Sequence, residues 1–274
     1  MNPAEIGALF DSTDSDFAEL SPVLWDPIGE ATTRVAGVEP GDSVLDVCCG
    51  AGASALPAAA ASGPGGRVDA VDLAESLLRQ GRKRAARQGM DHLRFVRADA
   101  SRWRPADGSR YDVVLCVHSV LLLPDLDASA ARLVELVRPG GRFAVTTWAN
   151  GALEEFRVAL YGAAERERGP LAAPPARGPV VRLGSEDGMR NWLARLALKE
   201  VSVRRIPLSV PLTADLAWLL VLGTGFRGVI RGLDADATRR VRDDLVSTLD
   251  ARGIHSLDAT SLTGVGTRAR VLAA

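Results

Sequence analysis

Cysteine is scarce in this chain of 274 residues: Cys48, Cys49 and Cys116 are the whole set. An odd number with one adjacent pair makes a poor disulfide framework, so a reducing cytoplasm is the expected location. A Cys-Cys pair is not the Cys-x-x-Cys of a zinc site, and no histidine cluster completes one, so no metal is expected. Excess charge of one sign is also missing. The 33 basic and 34 acidic residues leave a formal net charge of −1, which gives no basic footprint for nucleic acid or an anionic membrane. The basic run RQGRKRAAR (79–87) lies on a stretch that reads as helix, where such charges form a solvated face. Long apolar runs are absent too. The richest window, LAWLLVLGTGF (216–226), falls short of the ~20 residues of a membrane span and holds two glycines. The opening residues, MNPAEIGALFDSTDSDF, are acidic and do not read as a signal peptide.

What is present is an ordinary globular balance, 47% hydrophobic and 24% charged, enough for one large domain or two small ones. Residues 22–36 read as a helix, broken or started at Pro27, and 38–42 as a turn. SVLDVCC (43–49) reads as a buried strand and 53–61 as a helix. RVDAVDL (67–73) is a second strand and 74–89 a helix with Leu77, Leu78, Ala85 and Ala86 on one face. Strands follow at 93–99 and 111–120. Residues 128–142 read as a helix ending at Pro139 with a glycine turn after it, and 142–148 as a fifth strand. This alternation predicts a mostly parallel sheet with helical crossovers. Beyond it, 151–168 is an amphipathic helix and 169–179 a Pro/Gly-rich connector. Ser185 caps a helix over 185–198, 199–210 reads as strand, Thr213 caps another helix, 234–253 is a charged-faced helix, and 263–273 is a last strand candidate.

The stretch VLDVCCGAGASALPAA (44–59) carries the chemistry. A strand, close glycines and a helix start let backbone approach a ligand. Gly50 and Gly52 lack the third glycine of a dinucleotide fingerprint, with Ala55 in its place, and no G-K-[ST] follows as in a phosphate loop. The acids say more. Asp46 precedes the glycines, where it repels a pyrophosphate and suits a cation. Asp72 ends the second strand, placed to take both hydroxyls of a ribose. Asp99 ends the third and can accept from an exocyclic amine. A cation, a ribose and an adenine in one crevice describe S-adenosylmethionine.

VLDVCCGAG (44–52), AVDL (70–73), RADA (97–100), YDVVLCVHSVLLLPD (111–125) and LVRPGGRFAV (136–145) resemble, in order, the motifs of class I S-adenosylmethionine-dependent methyltransferases. DVCCG is also similar to the ubiquinone/menaquinone biosynthesis members. FDSTDSDFAELSPVLWDPIG (10–29) and residues 225–254 look like actinobacterial small-molecule members. The resemblance implies an α/β, Rossmann-like fold with a seven-stranded, mostly parallel sheet and helical cap elements. Residues 1–36 would form an N-terminal helical flank or lid, 37–150 the cofactor-binding core, 151–198 a helical cap insertion, and 199–274 the strands and helices that complete sheet and pocket.

It also implies roles. Asp46, Cys49, Gly50 and Gly52 would line the methionine part of the cofactor, Asp72 the ribose, and Leu73 the adenine face. Asp99 and Ala100 would hold the adenine edge, with Cys116, Val117 and His118 at the fourth strand tip. Many relatives carry a tyrosine after the opening phenylalanine. Here Phe10 or Phe17 must supply the aromatic contact. His118 is the candidate base. Trp25, Trp148, Tyr161 and Arg227 are candidates for the acceptor pocket, while His92 reads as a surface residue. The expected reaction is methyl transfer to a small, fairly hydrophobic metabolite at oxygen, nitrogen or carbon. The cofactor carries the activation, so no catalytic triad is required. A cofactor-binding protein that transfers nothing and an NAD-type oxidoreductase are the alternatives, and Asp46 speaks against the second. A homodimer is the commonest assembly for such chains.

Overall fold

The computed structural model describes residues 2–171 and 178–270. Three helices open the chain: α1 (Pro3–Asp11), α2 (Asp14–Leu20) and α3 (Trp25–Ala36). The first is closed by a capping box between Asn2 and Glu5, with Pro3 at its first turn. A helical flank is expected over 1–36, with a helix bounded only from residue 22; α1 and α2 are its earlier helices. Glu5, Asp14 and Asp16 sit in their first turns, where helix dipoles favour them.

Five parallel strands follow: β1 (Ser43–Val47), β2 (Arg67–Asp72), β3 (Leu93–Arg97), β4 (Tyr111–Val117) and β5 (Val137–Trp148). Between them run α4 (Ala55–Ser62), α5 (Glu75–Arg87) and α6 (Leu126–Leu136). The C-terminal half adds α7 (Glu154–Arg168), α8 (Pro179–Leu183), α9 (Glu186–Arg195), β6 (Leu198–Ile206), β7 (Ser209–Pro211), α10 (Ala214–Leu222), a 3₁₀ segment at Gly225–Ile230, α11 (Ala235–Ala251), β8 (Ser256–Asp258) and β9 (Ser261–Arg268). The seven-stranded sheet has the order β3-β2-β1-β4-β5-β9-β6, with β9 antiparallel to both neighbours. The expected mostly parallel sheet of seven strands is therefore present.

Several boundaries differ from the sequence reading. The helix expected over 128–142 stops at Leu136, and Arg138–Gly141 lie within β5. A register shift between Tyr111 and Val113 absorbs the proline and glycines there. The fourth strand ends at Val117, because His118 takes a left-handed backbone (φ 52°). The strand expected over 199–210 is two: β6 in the main sheet and β7 paired with β8 in a two-stranded one. Of the connector read at 169–179, residues 172–177 lie outside the described residues, as do 271–274 of the last strand candidate.

Period-two alternation splits the sheet into two faces. Leu45, Val47, Val114, Cys116, Phe143 and Val145 pack toward α6 and α9, with Trp192 fully buried among them. Val44, Val68, Ala70, Val113 and Leu115 face α4 and α5. Asp46 shares the parity of Val44 and so points at α4. A separate apolar cluster joins α3, α7, α10 and α11 above the strand ends, and Val117 and Trp148 pack against it. This third cluster roofs the C-terminal edge of the sheet. His92 is half-buried rather than superficial, since its Nε2 donates to the Ala59 carbonyl at 2.8 Å.

Candidate functional site

The strand order reverses between β1 and β4, and parallel sheets open a crevice at that switch. A cavity of about 1030 Å³ lies there, bounded below by strand tips and above by α1, α2, α7 and the 225–230 segment. That volume is at the top of the ~300–1,000 Å³ typical of ligand pockets, so it has room for two molecules.

One half is ringed by the β1–β3 ends. Cys48, Cys49, Gly50, Asp72, Leu73, Asp99 and Ala100 line it. The Asp72 carboxylate accepts backbone N–H groups from Gly50 and Ala74, each at 2.8 Å. Burial raises its pKa, and these backbone donors oppose the rise. Asp99 accepts from the Ser101 amide and hydroxyl through Oδ1, at 2.9 and 2.7 Å, which leaves Oδ2 toward a weak contact with Arg102 at 3.9 Å. Gly50 has φ 54°, and a Cβ there would meet Phe17 Cζ at 3.2 Å. Phe17 thus packs down onto the glycine loop. Phe10 and Phe17 both line this half.

Asp46 is near the site without facing it. It is fully buried, and its Oδ2 accepts from Ser54 Oγ at 2.7 Å. Ser54, not Asp46, lines the cavity. Asp46 Oδ1 is buried with no hydrogen-bond partner among the described residues. Burial first, with the charge of Asp72 adding to it, pushes the Asp46 pKa up to about 7. A carboxylate in this state gains from a cation brought nearby. No Lys or Arg lines this half among the described residues. A pyrophosphate over the glycine loop would stand near the buried Asp46 carboxyl with no Lys or Arg among the described lining residues to offset it, whereas a nucleoside bearing a sulfonium meets acids and backbone groups. The donor set fits S-adenosylmethionine and does not fit a dinucleotide.

The other half is aromatic. Trp25 stacks on Phe17 at 5.8 Å and tilts against Trp148 at 6.0 Å and His118 at 5.9 Å. His118 and Trp148 are in closer contact, ring centroids 3.9 Å apart. His118 Nε2 lies 3.0 Å from Ser261 Oγ. Burial lowers the His118 pKa to about 3, so the imidazole is neutral across the physiological range. Tyr161, on α7, completes the wall, and Phe226 and Leu220 close it from the α10 side.

Besides Asp46, three expected contacts do not reach the cavity. Gly52 (φ 88°) packs against Phe95, whose Cζ would stand 2.9 Å from an added Cβ, so it serves helix–strand packing. Cys116 is fully buried beneath the strand tip, with Sγ 3.2 Å from Ser119 Oγ and a thiol pushed up to about 12. Arg227 pairs with Asp16 at 3.0 Å and donates to the Leu222 carbonyl, and so ties the 225–230 segment to α2. In turn the structure adds Cys48, read as a buried apolar residue. It lines the cavity in a left-handed backbone, φ 54°. Its place two residues after Asp46, where β1 has just ended, was the available signal. Burial raises the Cys48 and Cys49 thiols well above their ordinary value, so neither is a thiolate. Among the described residues no group of three or more His, Cys, Asp or Glu gathers as a metal site. No described helix is long and apolar enough to cross a membrane.

The N-terminal helices are fastened over the cavity by polar contacts. Asp11 accepts from the Ser76 amide at 2.8 Å, Asp14 from Gln80, and Asp26 from Arg84 at 2.8 Å, all on α5. On the opposite side stands the Asp16–Arg227 pair.

Known proteins resemble this chain in sequence and in fold. A family model described as a methyltransferase domain matches residues 44–141. An uncharacterized protein of Mycobacterium tuberculosis is 33% identical over 196 residues, which is 71% of this chain and 67% of that protein. Aklanonic acid methyltransferase DauC of a Streptomyces species is 31% identical over 144 residues, 52% of this chain and 64% of that one. Nocamycin O-methyltransferase of Saccharothrix syringae is 35% identical over 141 residues, 52% and 48% of the two chains. The chain spans about half the length of several curated relatives it matches, 47% for a second M. tuberculosis protein. Among solved structures, the YcgJ protein of Bacillus subtilis superposes with a TM-score of 0.57 at 16% identity, covering 88% of this chain and 97% of that one. The [4+2]-cyclase SpnF gives a TM-score of 0.58 at 13% identity over 99% and 98%. At such identities the two structures share the fold alone.

Proposed function

The chain belongs to the class I S-adenosylmethionine-dependent methyltransferases, and from that premise we propose that it transfers a methyl group to a small, largely apolar metabolite in the cytoplasm. The observation that carries the reading is the acid-ringed half of the cavity, with no Lys or Arg among its described lining residues, joined to an aromatic half. The names of two relatives, an aklanonic acid methyltransferase and a nocamycin O-methyltransferase, support a natural-product acceptor, and the second name supports oxygen as the methylated atom.

S-adenosylmethionine, when bound, supplies a methyl group already activated on sulfur. The protein's own work is to bind, orient and exclude water. Asp72 holds the ribose hydroxyls, since its carboxylate is fixed by two backbone amides and keeps lone pairs free. Asp99 and Ala100 take the adenine edge and Leu73 its face. Asp46 acts through Ser54 and through charge. Phe17, Trp25 and Trp148 keep water from the reacting centre. His118 is neutral and held by Ser261, which suits orienting an acceptor oxygen better than storing a proton.

Two measurements test this together. Calorimetric titration should show S-adenosylmethionine binding and no binding of NAD. Incubation with deuterated-methyl cofactor and a small-molecule extract of the producing cells should yield a product heavier by one labelled methyl. Binding without any labelled product would instead favour a protein of this fold that does not methylate, and absence of binding would refute the proposal.

A further inference from the structure

The acceptor half carries a charged device that the reading above leaves unused. Glu154, Arg157 and Tyr161 stand one turn apart on the same face of α7, and all three line the cavity. Among the described residues lining that half, Glu154 and Arg157 are the only charged side chains. Arg157 donates to Glu154 twice, Nε to Oε2 at 3.0 Å and NH2 to Oε1 at 2.6 Å. Its guanidinium lies over the Tyr161 ring, 5.6 Å from the centroid. The arginine side chain is 31% exposed and the glutamate 52%.

We propose that Arg157 selects the methyl acceptor by its acidic group, and that the acceptor is a planar, mostly apolar molecule carrying a carboxylate. This rests on the methyl-transfer reading of the same cavity. An exposed ion pair between neighbouring turns contributes little to stability, so Glu154 is an exchangeable partner. A ligand carboxylate within the cavity offers the same bidentate geometry with less water around it, which strengthens charge-assisted hydrogen bonds. The Tyr161 ring attracts the guanidinium from beside it and the two bonds to Glu154 show the fork already presented for a bidentate partner, a use for which lysine is unsuited. Trp148, Tyr161 and Phe226 then receive a flat apolar body. In the free protein Glu154 keeps Arg157 paired, and it returns to solvent when the ligand takes its place. An amine-bearing acceptor would need the more exposed Glu154 while standing against the Arg157 charge.

Equilibrium dialysis on protein saturated with S-adenosylhomocysteine tests the proposal with three probes of one shape: 9,10-anthraquinone-2-carboxylate, its carboxamide and its aminomethyl analogue. The carboxylate should bind at least fivefold more tightly than the carboxamide. Arg157→Gln should bring the two within twofold without changing carboxamide affinity, Arg157→Lys should retain part of the preference, and Glu154→Gln should strengthen carboxylate binding at least twofold. Melting temperature and S-adenosylhomocysteine affinity, unchanged in these variants, show that the fold and the cofactor half are intact. Equal affinities in the unaltered protein, a preference that survives Arg157→Gln, tightest binding of the amine, or no binding of any probe would each overturn it. Loss of S-adenosylhomocysteine binding itself would count against the methyltransferase reading instead.

Discussion

Replacing Asp46 by asparagine separates what this carboxylate costs the fold from what it does for a ligand. The side chain has no exposed surface. Oδ2 accepts from Ser54 Oγ at 2.7 Å, while Oδ1 has no partner among the described residues. Burial raises its pKa from 3.8 to about 7, which at roughly 1.4 kcal/mol per tenfold change in proton affinity is a penalty of about 4 kcal/mol on the ionised form. The sign follows from linkage. A carboxyl whose folded pKa exceeds its unfolded one adds no penalty below pH 3.8. The penalty grows as pH rises from there to about 7 and is constant above. Asparagine removes that pH-dependent term but places an amide beside the same unpartnered region, at a cost of about 1–3 kcal/mol. The ligand-free Asp46→Asn protein should therefore be more stable than its parent by about 1–3 kcal/mol at pH 8 and equal or less stable at pH 4.5. Denaturant unfolding at both pH values measures this. The same variant should bind S-adenosylmethionine at least about tenfold more weakly at pH 8, because the charge that favours a nearby cation is gone. A variant less stable than the parent by the same amount at both pH values would refute the reasoning, because Asp46 would then be an ordinary packed polar residue.

Other expectations follow from neighbouring contacts. With Asp46 titrating near 7, S-adenosylmethionine affinity should rise between pH 6 and pH 8, and S-adenosylhomocysteine, which lacks the sulfonium, should show a smaller rise by calorimetry. Asp72→Asn should weaken cofactor binding by at least about tenfold, since it breaks one of the two backbone contacts that orient the carboxyl. Gly29→Ala should destabilise by about 1–3 kcal/mol in chemical unfolding, because the added Cβ would stand 2.2 Å from the Ala53 carbonyl oxygen and force α3 off the loop before α4. Ser261→Ala should cost about 1 kcal/mol of stability and lower turnover, without adding a limb to the pH–rate profile between pH 5 and pH 8, because His118 titrates near 3.

The parallel core was legible because each strand is a short apolar run between turn signals, and each crossover helix shows one apolar face. Asp72, Asp99 and Gly50 could be placed from their positions at strand ends alone. Asp46 could be placed on the right strand but not on the right side of Ser54, because that depends on how the turn at 48–54 folds back. Gly52 shows the same limit. A glycine with φ 88° signals a tight approach without saying to what, and here it is Phe95. The roof was the least legible part. Phe17 and Trp25 come from neighbouring helices, His118 and Trp148 from strand ends about a hundred residues on, and no local period announces that their rings meet. Arg227 looked like a ligand group because an arginine in a glycine-rich segment has no visible partner until Asp16 is brought to it.

The helices above the cavity are anchored at their rims by four aspartates, and the two ion pairs among those anchors are only partly buried, their side chains 26–31% exposed. Contacts of this kind weaken only modestly as electrolyte is added, because partial burial shields them, while the Phe17–Trp25 stack beneath them does not weaken. Ionic strength therefore bears on the rim of the enclosure and not on its aromatic seal. Ligand exchange rates should quicken in salt with the closed geometry unchanged, so traffic through this chamber can be tuned by the medium without altering a single group that touches its occupants.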